Sequence, residues 1–364
     1  MSAELLVVAC ILIFYILIPG AGALHVRRRW RLLRGRLYDA SSWQRLRYHD
    51  QGSAAQLDVD TVIGVRRMVA SVDAVEGDAT LWVSSNELSV AIDMSGQDVV
   101  LLPGTQDDLL KENSAEVITP PVVVPWRRMF TLSQGTQILV AGTVENENGR
   151  LFFRGSRQHP LLILLFEGDP RLVLYRGIWN ARQRNEYYNQ ATPGSLTAGT
   201  AGLLLLAYFL LTAADSRLWG LVALTFSFSP MLPLLPPGVL GYFLFRRLWR
   251  HGRRLRSERD LINAAIGICN SGSYACREVT VQECDPELPR LHCRGADQGV
   301  LLQPQTPDSG DVLQHSLLLP LRPEREVKML DRLAYRFEAA AVFLFVAGQL
   351  ATTYVLFVLL SYAV

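Results

Sequence analysis

A chain of 364 residues with 49% hydrophobic side chains and a mean hydropathy of +0.17 is too apolar for an ordinary soluble protein and too polar to lie wholly in a membrane. Its net charge of +2 excludes a strongly basic nucleic-acid binder, and its arginines gather beside apolar runs, where they set topology rather than contact phosphate backbones. What remains is a membrane protein with a few spans and real domains, for which the lipid bilayer is a partner and nucleic acid is not.

Residues 5–24 form the first expected span. No positive charge precedes it, and Arg27, Arg28, Arg29, Arg31, Arg34 and Arg36 follow it. A secretory signal has the opposite charge order, so the run reads as a retained anchor with the amino terminus outside.

The segment 41–191 loses the helical period. Short apolar stretches alternate with turn residues there, as in a small antiparallel sheet or barrel. Residues 94–97 and 145–149 are expected hairpin turns whose glycines supply positive φ. Pro120, Pro121 and Pro125 bracket an edge strand at 122–124, and the run 161–166 is too short for a span but suits a strand buried on both faces.

Residues 196–214 and 218–245 are the second and third spans, and the three residues Asp215, Ser216 and Arg217 leave them antiparallel neighbours. Neither contains Asp, Glu, Lys, Arg or His, so neither offers a proton relay or ion site. Pro230, Pro233, Pro236 and Pro237 must kink or interrupt the third span.

A glycine strand at 135–144, the Glu-Asn-Glu-Asn-Gly turn after it, the run Arg-Leu-Phe-Phe-Arg and then the membrane helix pair resemble the membrane-linked β-domain of GIDE-type multi-span proteins. Gly135 and Gly142 match that family's strand, and residues 97–103 resemble the segment preceding it. The resemblance implies an OB-like domain behind an amino-terminal span. The family's ligases end in a RING with paired Cys-x-x-Cys ligands, which this chain lacks, so no ligase activity carries over.

After the third span comes a collar of Arg246, Arg247, Arg250, Arg253, Arg254 and Arg256. These are the expected membrane-surface residues, each worth roughly 1 kcal/mol of attraction near an anionic leaflet. Residues 258–321 then form a second, smaller β-module. A helix at 260–268 presents Leu261, Ala264, Ala265 and Ile268 on one face, and strands are expected at 276–284, 290–294, 300–303 and 315–319.

Cys269, Cys276, Cys284 and Cys293 cluster there beside His292, as zinc ligands, a disulfide or reduced core residues. The gaps of six, seven and eight residues differ from the tight knuckle of structural zinc sites, which favours reduced core cysteines over bound zinc. Asp107 and Asp108 read as a solvated turn, and no histidine has a nucleophile and a carboxylate at motif spacing.

Residues 337–362 are the fourth span, preceded by Arg325, Lys328, Arg332 and Arg336. The basic flanks agree on one topology: both termini extracytoplasmic and both β-modules cytoplasmic, in a bacterial inner membrane. Ala198 with Gly202 and Ala347 with Ala351 are the expected close-packing pairs. The sequence therefore reads as an α+β integral membrane protein: four transmembrane helices with two small cytoplasmic β-rich modules, OB-like or of barrel or sandwich form. With no catalytic motif, the leading expectation is a scaffold that binds other membrane proteins or itself. A transporter using the broken third helix and a zinc-binding membrane-associated enzyme are the alternatives.

Overall fold

The computed structural model of the protein describes residues 3–47, 61–85, 88–102, 121–129, 131–147, 149–183, 189–213, 216–270, 274–284, 291, 297–304, 313 and 316–363. The chain is α+β and divides into two compact units. A helical unit comprises Met1–Arg31, Asn185–Arg256 and Leu330–Val364, and a β unit comprises Leu32–Arg184 and Ser257–Met329. The two β segments expected as separate modules thus belong to one unit.

The helices are α1 (Ala3–Ser42), α2 (Val173–Gln183), α3 (Ala191–Thr212), α4 (Arg217–Ser227), α5 (Gly238–Asn270) and α6 (Pro323–Ala363). By length and composition α1, α3 and α6 can each cross a membrane. The expected span 218–245 is not one helix. α4 stops at Ser227, a 3-10 stretch covers Ser229–Leu234, and α5 begins at Gly238. Pro230 and Pro233 lack the N–H that a continuing helix needs. With 11 residues α4 rises about 16 Å, roughly half of a ~30 Å hydrocarbon core.

In the helical unit α1 widens into a π-helical stretch at Leu12–Leu17, where Ile18 N–H bonds to Ile13 O. In that register the next carbonyl, Phe14 O, would require an N–H from Pro19, which has none. The Ser195 hydroxyl of α3 donates to Phe14 O instead. An orphaned backbone carbonyl away from water is costly, so this hydroxyl fixes where α3 meets α1. One turn along, Gly199 lies against Phe14 and Tyr15, and Tyr15 OH is 3.1 Å from Thr200 Oγ1. Val7, Leu203, Ala207 and Ala223 form the buried apolar centre.

α5 and α6 run antiparallel on a seam of small residues. Gly238 faces Thr352, Gly241 faces Gly348, and Gly252 faces the carbonyl of Ala334 and the side chain of Glu338. Phe245 and Phe345 meet at 5.1 Å between ring centroids, in the same register. The pair singled out from sequence on α6 misses this seam by one position: Ala347 and Ala351 are exposed while Gly348 and Thr352 make the contact.

In the β unit, β1 (Thr61–Glu76), β2 (Thr80–Ser85), β3 (Leu88–Asp93), β4 (Asp98–Leu102), β5 (Val122–Pro125), β6 (Gln137–Glu147), β7 (Arg150–Arg154) and β8 (Leu162–Phe166) form one sheet. β1 pairs with β2, β2 with β3, β3 with β7 in parallel, β7 with β6, and β6 returns to β1. Five strands therefore close a circuit, around a core that includes Met68, Leu81, Val90, Ile92, Val140 and Phe153. From β6 the sheet continues through β8 and β4 to β5, an edge strand that Pro121 precedes and Pro125 ends. β8 is buried at every position.

Of the turn expected at 145–149, residues 145–147 belong to β6, which pairs antiparallel with β7, Asn148 lies outside the described residues, and Gly149 has φ +76°. The turn at 94–97 is not a hairpin, because β3 and β4, which it joins, do not pair with each other. Gly64, at φ +121°, sits where the β1–β6 register shifts, a bulge only glycine takes readily.

Gly142 in β6 is a close approach: a Cβ there would lie 2.8 Å from Leu161 Cδ1 and 3.2 Å from Arg154 O. Gly142→Val should therefore cost about 2 kcal/mol by overpacking, read as a lowered melting temperature of the purified chain. An unchanged melting temperature would mean that Leu161 moves aside freely.

A smaller sheet has the order β11-β10-β9, with β9 at Tyr274–Thr280, β10 at Gln298–Pro304 and β11 at Leu317–Pro320. The strand expected over 276–284 ends at Thr280, where a 3-10 turn at Val281–Glu283 takes over. The strand expected at 290–294 lies, apart from Leu291, outside the described residues.

Candidate functional site

A dense polar constellation in the β unit centres on Asp260 of α5, which is only 3% exposed. Arg182 of α2 donates to its Oδ2 from Nε at 2.9 Å and again from Nη2. Arg259 donates to Oδ1 from Nε at 3.0 Å and from Nη2 at 2.6 Å, and Arg34 of α1 brings its Nε to 3.7 Å. The Tyr38 hydroxyl donates to the backbone carbonyl of the same residue at 3.0 Å. Both carboxylate oxygens are thereby engaged, and the group works as a tie between three helices. Gly177 of α2 lets Leu37 of α1 approach closely beside it.

The collar expected at the membrane surface divides into two sets within the helical unit. Arg246, Arg247 and Arg250 are exposed, Arg253 is buried, and Arg254 and Arg256 are half-buried. Arg253 lies over the Trp249 ring at 4.7 Å. Arg256 grips Glu338 of α6 bidentately, Nε to Oε1 and Nη2 to Oε2 both at 2.7 Å, with Asp331 at 3.2 Å from Nη1. A planar guanidinium suits that fork geometry. Arg256 thus joins α5 to α6, Arg253 packs on its own helix, and Arg246, Arg247 and Arg250 are the exposed members of the collar.

Among the candidate metal ligands, Cys269 and Cys276 are bonded to each other, with Cα atoms 7.0 Å apart. The end of α5 and the start of β9 come together there, in place of the reduced pair expected. Cys284 has a free, half-buried thiol that donates to Thr280 O at 3.6 Å. His292 and Cys293 lie outside the described residues. The structure thus brings two of the five candidates together, and does so as a disulfide.

Two ionisable groups elsewhere in the β unit are shifted by their surroundings. Burial raises the Tyr175 hydroxyl, with Tyr274 adding to the shift and Arg67 opposing it. The Arg154 guanidinium is raised chiefly by its hydrogen bond to Glu147, with Glu145 adding to it, on a partly exposed edge that also holds Asp93 at 3.6 Å.

The helical unit also contains a cavity of about 490 Å³ between α3 and the end of α4, bordered by the 3-10 stretch. Its lining is almost entirely apolar.

No family model, curated protein or solved structure matches the chain. Sequence reasoning missed Asp260 and Glu338 as anchors. Each had a signal: an acidic residue set among arginines in one case, and a carboxylate opening an apolar run in the other.

Proposed function

We propose that this protein is a multi-pass membrane scaffold whose helical unit is held in the bilayer and whose β unit binds other membrane proteins or a second copy of itself. The observation that carries the reading is the surface of the span helices. Leu205, Phe209, Phe343, Leu350 and Tyr354 are each more than three-fifths exposed, an apolar surface suited to hydrocarbon rather than water. The closed circuit of five strands supports an OB-like barrel in the β unit, the form implied by the resemblance to GIDE-type proteins.

The arginine flanks favour a cytoplasmic β unit, and on that side thiol systems keep cysteine pairs reduced. A disulfide at Cys269 and Cys276 would persist on the opposite side. Cysteine labelling in intact cells decides between them. With the β unit cytoplasmic, an impermeant maleimide leaves exposed Cys276 unlabelled even after an impermeant reductant, and labels it once the cells are opened. Labelling in intact cells would reverse the topology. The scaffold reading itself is tested by crosslinking in the membrane followed by affinity purification. A chain recovered only as an uncrosslinked monomer would overturn it.

The transporter reading keeps one observation, the broken helix beside a cavity. The apolar lining favours an apolar occupant over an ion or polar solute.

A further inference from the structure

The cavity beside the broken helix has a composition that says what it can hold. Its walls are the side chains of Leu196, Ala201 and Leu204 on α3 and Phe228 and Met231 on the opposite side. Three hydroxyls also border it, and each is committed to the backbone. Thr197 Oγ1 lies 3.0 Å from Gly194 O, Thr200 Oγ1 donates to Ser227 O at 3.2 Å, and Ser227 Oγ donates to Leu224 O at 2.6 Å. Water in this open, apolar space would find few hydrogen-bond partners, which favours an apolar occupant. The volume falls within the ~300–1,000 Å³ typical of ligand pockets.

The break in the helix makes the space. α4 ends at Ser227, and the proline-bearing turn carries Met231 along one side while α3 continues past it. The opening lies on a helix long and apolar enough to cross a membrane, next to exposed Ala201 and Leu204, so what enters from the side is hydrocarbon. Charge indicates which lipid. Asn189, just before α3, donates to Pro19 O of α1 at 3.2 Å, which sets the start of α3 level with Pro19. Arg27 and Arg28 are exposed about two turns further along α1 than Pro19, beyond the start of α3, at the level a headgroup would take.

We propose that this notch retains one acyl chain of an anionic phospholipid, whose headgroup sits at the basic turn of α1. The inference rests on the membrane reading above. The lipid fills the gap left by the broken helix and gives the exposed prolyl turn a packing partner.

The test uses the full chain, reconstituted in vesicles of equal parts phosphatidylglycerol and phosphatidylcholine, re-extracted in mild detergent and weighed by native mass spectrometry. The expected result is one phosphatidylglycerol retained per chain. Ala201→Trp, on an exposed position lining the notch, should lower retention about ten-fold, whereas Leu205→Trp, exposed but outside the lining, should not. Ala201→Leu, a smaller filling, should lower it partly, which keeps the test valid if the tryptophan variant fails to fold. Absence of a retained lipid, or equal retention by Ala201→Leu and the parent, overturns the proposal. Retention of phosphatidylcholine alone overturns the headgroup assignment. Failure of the membrane reading looks different: the chain would leave the membrane fraction without detergent.

Discussion

Asp260→Ala is expected to destabilise the protein by about 3–5 kcal/mol, because it removes the carboxylate to which Arg34, Arg182 and Arg259 are tied and leaves buried guanidinium groups without it. Net stabilities of ~5–15 kcal/mol make that a large fraction of the whole. The loss should fall on the β unit, where α1, α2 and α5 carry these residues, and should be read as increased protease cleavage there and a lower melting temperature. Asp73→Ala, at an exposed position of β1, is the control and should shift stability by less than ~0.5 kcal/mol. If the two variants melt alike, the arginines repack around water and Asp260 is no anchor.

Gly241→Leu should have an effect of similar size in the helical unit. A Cβ at that position would stand 2.9 Å from the Leu344 carbonyl and 3.2 Å from the Gly348 Cα, both backbone atoms that cannot rotate away. The helices must separate, losing the contacts along the seam, at a cost of about 3 kcal/mol or more. The Arg256–Glu338 fork lies on the same pair of helices and should loosen with it. Gly202→Leu is the matched comparison, since a Cβ there would meet nothing within 4 Å. Thermal unfolding in detergent should place Gly202→Leu near the parent and Gly241→Leu well below it. Equal melting temperatures would refute the seam.

The one-residue displacement of the small-residue seam shows how far sequence reasoning reaches on a helix. Spacing by four marks a stripe, and several stripes of small residues run along α3 and α6. Each residue turns the helix by about 100°, so Ala347 with Ala351 and Gly348 with Thr352 are neighbouring stripes of equal merit in sequence. Only the partner helix selects between them, and α5 selects the second. The arginine collar behaves in the same way: six residues of one type look alike until α6 places Glu338 and Asp331 opposite Arg256.

What the sequence determined by itself is what depends on composition and local chemistry. Apolar length marks α1, α3 and α6 as helices able to cross a membrane. Prolines lacking an N–H end the helical run after Ser227. Alternating apolar residues and positive-φ glycines make strands and turns, and an uninterrupted apolar run makes β8, buried throughout. The tertiary structure alone decided which distant partners meet. The closing of β6 onto β1 across some seventy residues, the gathering of Arg34 and Arg182 on Asp260 and the hollow beside the prolyl turn all depend on packing between segments far apart in the chain. A local pattern cannot carry that information, because a buried charge or a glycine is defined by its neighbour in space, and that neighbour is chosen only when the whole chain excludes water at once.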